Sequence, residues 1–295
     1  MRASELYQQV TNTIIADLEA GVAPWVKPWT SNGGGGLPYN ASTQRRYNGI
    51  NIPILWHAFS RNPWPTMGFM TYRQAQAVGA QVKEGEKGTH VVFTKQFRVG
   101  DKESEEEKTI GILRNFTVFN VGQIEGLPQE AAAVPRTTEQ QGDDAIRFIH
   151  ATGAEIKHGG DRACYVPSKD FIILPETSAF ESDQHYLATA LHECVHWSGA
   201  ASRLGRDLNN RFGSYANAAE ELVAELGAAF LCAHLGVQGQ LRSAEYMANW
   251  LELLREDNRA IFTAASKASQ AADYLRGFSE LITEPAAVGS SAPGQ

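Results

Sequence analysis

Five consecutive residues, His192-Glu193-Cys194-Val195-His196, carry the densest chemistry in the chain. Histidines at i and i+4 of a helix share a face, about 40° apart around the axis, so both imidazoles reach one metal ion. Glu193 then stands beside the open coordination position, where a carboxylate can take a proton from a water that the ion polarises. A third ligand in such sites comes from a later carboxylate. The run Ala218-Ala219-Glu220-Glu221-Leu222-Val223-Ala224-Glu225 supplies candidates. Glu221 and Glu225 lie four apart, on one face with Ala224, Ala228 and Ala229, where carboxylates are rare unless paired or liganding. Glu221 is assigned as the ligand and Glu225, one turn on, as the acceptor that fixes a ligand imidazole. The spacing leaves the exchange of those two roles open. The bland alternative makes Glu220 and Glu221 solvated charges favoured by the dipole at a helix start.

The chemistry implied is hydrolysis of a peptide bond, with Glu193 as base and then acid. Two nitrogens and one carboxylate suit Zn2+, although Mn2+ or Co2+ can occupy such a site in vitro. Tyr215 and His158 are weak candidates for a second oxyanion donor, and Cys194 reads as a small buried side chain. Nuclease chemistry fits poorly, because nucleases gather several carboxylates around their ions.

Helices must position these groups. The motif falls in a helix over residues 184–198, whose run 186–191 is apolar enough to be buried, and the carboxylates fall in a second over 214–234. A helix over 144–152 and one or two more between 243 and 283 complete a mostly helical section. The run from Cys164 to Pro175 reads as a strand beside the cleft, to which an extended peptide substrate can add.

The first half differs in kind. Between residues 20 and 100 nine Lys/Arg face two acids, a balance of +7, whereas from 131 onward 13 basic residues face 21 acids, a balance of −8. Opposite signs suggest two jobs, with the polyanion partner in the first section. Aromatic residues interleave with its cations, and aromatic faces with cations suit unpaired bases and their phosphates. Candidate DNA-binding residues are Trp25, Lys27, Trp29, Tyr39, Arg45, Arg46, Tyr47, Lys83 and Lys87. Trp56, in the apolar run 50–59, reads instead as core. A helix over 5–18, a Gly/Pro-rich loop holding the tetraglycine 33–36, a helix over 71–78 and strands over 89–94 and 115–121 make this section α+β.

The length of 295 residues fits two domains, and 43% apolar content supplies real cores. The expected division is 1–130 for the DNA-binding domain, 131–145 for a Pro- and Ala-rich linker, 146–284 for the metallopeptidase domain and 285–295 for a frayed tail. The fold class is α+β, two domains, the second mostly helical with a small sheet. No stretch approaches the roughly 20 apolar residues that cross a bilayer, so no membrane partner is expected. Three cysteines without CxxC spacing suit a cytoplasmic setting better than a disulfide framework.

Several motifs coincide with one family. GVAPWVKPW, PYN followed by RRYNGIN, TYRQAQAVGAQVKEGEKG and FTVFNVGQI resemble the N-terminal domain of the ArdC antirestriction family, also found in a plasmid primase protein. HECVHWSGAASRLGR followed by AAEELVAELGAAFL is similar to the zincin-like domain that accompanies it. The resemblance covers nearly the whole chain. It implies a single-stranded DNA-binding domain joined to a metalloprotease domain akin to the SprT/Spartan group, carried by a conjugative plasmid to protect incoming DNA from host restriction. It carries His192, Glu193 and His196 across as site residues, and the carboxylate ligand to the helix of Glu221 and Glu225. The implied partners are single-stranded DNA and a protein substrate, such as a host restriction or DNA-bound protein. A rival reading is a purely protective DNA-binding protein whose metal domain is structural or a partner dock.

Overall fold

In α1 (Ala3–Glu19) the apolar residues Leu6, Val10, Ile14 and Leu18 recur every four positions, and all four are buried. The computed structural model describes residues 3–23, 25–26, 36–100, 107–128, 137–208, 215–238 and 244–283. Lys27, Trp29, residues 33–35 of the tetraglycine, the first part of the expected linker and the tail lie outside the described residues.

After α1 the chain forms β1 (Tyr39–Asn40), α2 (Asn51–Ser60), β2 (Gly68–Thr71), α3 (Tyr72–Ala77) and β3 (Gln81–Val82). Next come β4 (Thr89–Gly100), β5 (Glu107–Asn120) and β6 (Ile124–Glu125). The main sheet has the order β1-β2-β5-β4, with β3 and β6 paired separately. The apolar run read as core is α2, whose Pro53 falls in the first turn, where its missing N–H costs nothing. Buried Asn51 ties α2 to β4, since its amide donates to the Val92 carbonyl and accepts from the Val92 N–H, both at 2.7 Å. β5 pairs with β2 only at Val118–Asn120, whereas its ladder with β4 continues out to Gly100 and Glu107. The β4–β5 hairpin therefore runs out past the sheet as a two-stranded arm.

The second half begins with α4 (Thr138–Ala151). This helix starts inside the stretch expected to be linker. Thr137 accepts from the Gln140 N–H while the Gln140 side chain reaches back to the Thr137 N–H, a capping box that nucleates the helix despite Gly142. A small sheet follows, β7 (Glu155–His158), β8 (Cys164–Val166) and β9 (Phe171–Leu174), in the order β7-β9-β8. It leads into α5 (Asp183–Ser198), α6 (Tyr215–Leu235), α7 (Ala244–Glu256) and α8 (Ala260–Thr283). Among the described residues no helix is long and apolar enough to cross a membrane.

The two halves share one apolar core. It runs from Leu6 and Ile14 of α1 through Trp25 and Trp56 into Leu191, Leu222, Phe230 and Leu275. Trp25 packs edge-on against Trp250 of α7 at 6.0 Å between ring centroids, and Trp56 meets Phe230 of α6 at 5.7 Å. Polar ties flank them. Thr11 donates to the Asn258 carbonyl and the Gly49 N–H donates to Ser269 Oγ, each at 2.7 Å.

Candidate metal centre

α5 is capped by Ser182, whose hydroxyl accepts from the His185 N–H, and from Leu187 onward nearly every residue of the helix is buried. His192 and Glu193 are therefore held in the interior at only 3% and 4% exposure. α6 crosses beside it. Gly227 permits this, because a Cβ there would lie 2.9 Å from both Cγ atoms of Val195. The close approach brings the carboxylates of α6 to the imidazoles of α5.

His192 Nε2 and His196 Nε2 lie 3.2 Å apart. Glu221 places Oε2 3.5 Å from the first nitrogen and Oε1 3.6 Å from the second. A tetrahedral ion with bonds of about 2.0–2.1 Å has ligand–ligand edges of about 3.3–3.4 Å. The imidazole spacing falls within a few tenths of that edge, each Glu221 oxygen lies beside one imidazole, and one donor atom from each residue lies within 4.8 Å of the others, so the set fits a divalent cation held by His192, His196 and Glu221.

Each imidazole turns its other nitrogen to a carboxylate. His192 Nδ1 lies 3.6 Å from Glu225 Oε2, and His196 Nδ1 lies 3.2 Å from Glu220 Oε1. Glu220 is pinned by the Arg206 guanidinium at 3.0 to 3.2 Å, and Arg206 also donates to the Val195 carbonyl at 2.6 Å. Such outer carboxylates fix the tautomer and raise the basicity of a ligand imidazole. Electrostatics point the same way. Burial pushes the His196 imidazole down, but Glu220, Glu221 and Glu193 push it further up, to about 10. Burial raises Glu221, yet the two imidazoles hold it well below the usual carboxylate range. The field at the converging nitrogens favours positive charge.

Glu193 is outside this donor set. Its Oε2 accepts from the Tyr165 N–H of edge strand β8 at 2.8 Å. It lines a cleft of about 270 Å³ together with the ligand candidates, Cys164 and Tyr165 of β8, Asn217 of α6 and Tyr246 of α7. The β8–β9 hairpin is tied to the end of α5 by Arg203, which donates to the Trp197 carbonyl at 2.6 Å, stacks over the Trp197 ring and pairs with Asp170. The Tyr165 hydroxyl donates to Asp170 at 2.8 Å, so this phenol is committed to the network.

Other candidates fall elsewhere. Tyr215 is exposed and lines a separate cavity with Asp257 and Lys267, and His158 pairs with the Tyr186 hydroxyl at 3.0 Å. Neither lines the cleft; its phenol from the helical section is Tyr246. Cys194 is fully buried, and burial with the charge of Glu193 pushes its thiol up to about 12, which makes it inert. Sequence reasoning missed Glu220 as a partner of His196. Its signal is Arg206, distant in sequence and joined to it only by the fold.

The DNA-binding candidates scatter. Trp25 has no exposed surface, and its indole is spent on Trp250, so it offers no face to a base. Tyr47 is buried in a cluster with Leu55, Phe69, Val91 and Val118, which removes it as a stacking surface as well. Tyr39 is half-buried. Arg45, Arg46, Lys83 and Lys87 are exposed, with Arg46 2.8 Å from His234 Nδ1 and Lys83 donating to the Gly122 carbonyl at 2.9 Å.

Residues 4–119 match the family described as the N-terminal domain of anti-restriction factor ArdC, and residues 143–267 match the zincin-like metallopeptidase family. The crystal structure of the antirestriction ArdC protein from the R388 plasmid, in its metal-free form, superposes with a TM-score of 0.78 at 39% identity. It covers 94% of this chain and 98% of that one. The chain belongs to the ArdC antirestriction family. The Mn(II)-bound structure of the same R388 protein gives a TM-score of 0.76 at 39% identity, over 92% of this chain and 97% of that one. The uncharacterized protein y4eC of Sinorhizobium fredii (strain NBRC 101917 / NGR234) is 42% identical over 283 residues, 92% of each chain. DNA primase TraC of Escherichia coli is 38% identical over 301 residues, which span 93% of this chain but only 27% of TraC. The α+β layout thus pairs an ArdC-type N-terminal domain with a zincin-like C-terminal domain.

Proposed function

We propose that this ArdC-family chain is a zinc-dependent peptidase borne on a single-stranded DNA-binding protein, which protects plasmid DNA entering a new host during conjugation. The observation that carries the peptidase reading is the convergence of His192, His196 and Glu221, with Glu193 outside the donor set yet facing the same open cleft. Zinc suits this donor set; the Mn(II)-bound R388 relative supports a divalent ion. When bound, the ion supplies a Lewis acid to the scissile carbonyl and to a water molecule. Glu193 takes and returns the proton, its rotamer fixed by the Tyr165 N–H. Glu220 keeps the His196 imidazole oriented by a hydrogen bond, and Glu225 stands opposite His192 Nδ1 as its acceptor when the ion draws the ring into place. An extended peptide lies along β8, the edge strand of its sheet that borders the cleft. The substrate class is a host restriction or DNA-bound protein met in the cytoplasm. Glu193→Gln tests the assignment. It should keep one metal per chain and lower cleavage of a denatured protein substrate by about 100-fold or more. Undiminished cleavage by that variant would remove Glu193 from the chemistry.

A second reading makes the chain a protective coat for single strands, with the metal domain as a structural partner. The shared core favours it, since Trp25 packs on Trp250 of α7 and Trp56 on Phe230 of α6. Here Glu193→Gln keeps full protection of transferred DNA, whereas the peptidase reading requires its loss.

A further inference from the structure

With Trp25 and Tyr47 in the core, unpaired bases need another aromatic surface. Among the described residues of the first domain the exposed large aromatics are Tyr72, Phe93 and Phe116. The Tyr72 hydroxyl is engaged by Gln81, and its ring stands alone on α3. Phe93 and Phe116 stand together. They form an edge-to-face pair at 5.4 Å between centroids, at 44% and 45% exposure.

Their position comes from the sheet register. Val91 faces Phe116 and Phe93 faces Arg114 across the β4–β5 ladder. Directly opposed residues, and residues two apart, share a face, so Phe93, Phe116 and Arg114 all project on one side. On that same side Val91 and Val118 are buried under Tyr47 and Phe69, because β2 still covers β5 there. One step outward β2 has ended, and the pair emerges at the base of the uncovered arm. Arg114 is exposed beside it. Two half-exposed phenyl rings beside a guanidinium, in a section with a balance of +7, match a chain of bases and phosphates in both shape and charge.

We propose that Phe93 and Phe116, flanked by Arg114, are the platform on which unpaired bases of single-stranded DNA stack. This inference rests on the DNA-binding reading above, and its test separates the two. The full-length, zinc-loaded protein is titrated into a fluorescein-labelled oligo(dT) at several salt concentrations and followed by anisotropy. Phe93→Leu and Phe116→Leu keep apolar bulk but remove the π face. Each should weaken binding about 5- to 150-fold, with the salt slope unchanged. Arg114→Gln should flatten the slope of log K against log salt by about 0.7. Phe93→Trp should bind at least as well as wild type, which guards against a folding artefact. No binding by wild type overturns the DNA-binding reading itself. Wild-type binding that both leucine variants share overturns the platform alone. Equal losses for duplex of the same length also overturn it, since paired bases present no free face. A dimer in sedimentation that only the leucine variants dissolve, with DNA affinity unchanged, reassigns the patch to contact between copies of the chain.

Discussion

Gly227→Ala probes the packing that assembles the metal centre. An ideal Cβ on Gly227 lies 2.9 Å from both Cγ atoms of Val195. Carbon atoms rest at about 3.5–4.0 Å, so the helices must part by about 0.6–1.1 Å or Val195 must turn away. Val195 cannot turn cheaply, being β-branched, helical and fully buried. It also sits directly before His196, so a displacement beyond the roughly 0.5 Å that a site tolerates reaches the ligand set. Overpacking of this kind costs about 1–3 kcal/mol, and replacing glycine inside the 21-residue α6 returns about 1 kcal/mol of helix propensity. The net expectation is a loss of about 0–2 kcal/mol, with metal affinity down about tenfold or more. In a Val195→Ala background the obstacle is gone, and the same glycine substitution should stabilise by about 1 kcal/mol. The assay is a double-mutant cycle by urea unfolding of the metal-free protein, with metal affinity from competition against a chromophoric chelator. A positive coupling of about 1–3 kcal/mol supports the argument. It is refuted if Gly227→Ala stabilises the wild-type background and leaves metal affinity unchanged.

Three further outcomes follow from the geometry. Glu221→Ala should abolish stoichiometric metal in elemental analysis, whereas Glu220→Gln and Glu225→Gln should weaken it about 10- to 100-fold; metal kept without Glu221 but lost without Glu225 would exchange their roles. Trp25→Ala should cost about 3–5 kcal/mol of stability, read as a fall in Tm of roughly 6 °C or more, without changing DNA affinity below the transition. A lost affinity at unchanged Tm would restore Trp25 as a contact. The Arg203 hydrogen bond holds the Asp170 carboxyl below its ordinary range, against a smaller opposing effect of burial. A depressed folded pKa contributes stability above the ordinary Asp range, which is lost as pH falls through the depressed value. In chelator, Asp170→Asn should therefore lower Tm at neutral pH, and the gap to wild type should close on acidification; a gap that widens would contradict the sign.

The parts legible from sequence were local. The spacing of His192 and His196, and of Glu221 and Glu225, is a helix-face property, and the structure brings three of these four side chains to one point. What sequence hid was non-local or carried by the backbone. Arg206 holds Glu220 only because the turn after α5 folds back, and the donor to Glu193 is a main-chain N–H that any residue but proline at position 165 would supply. Tyr246 reaches the cleft from α7, with no spacing to link it to the motif. Composition misplaced Trp25 and Tyr47 because a core and a stacking platform both call for aromatic rings. The alternating run around Phe93 and Phe116 reads correctly as strand, but their exposure depends on where β2 stops. The capping box of Thr137 and Gln140 was a local signal, masked by a polar run and Gly142.

The charge asymmetry and the Pro/Ala-rich connection imply two separable units, yet the packing joins them. Trp25 reaches across to Trp250 of α7, the helix that also brings Tyr246 to the cleft. Trp56 rests on Phe230 of α6, the helix that carries Glu221. Cutting the chain near residue 130 would expose large indole and phenyl surfaces on both pieces, each worth several kcal/mol when buried. A fragment that fails to bind DNA or metal would therefore report lost folding, whatever the role of its residues. Point substitutions in the intact chain are the sound test, because they leave the shared core in place while removing one ligand, one ring or one charge.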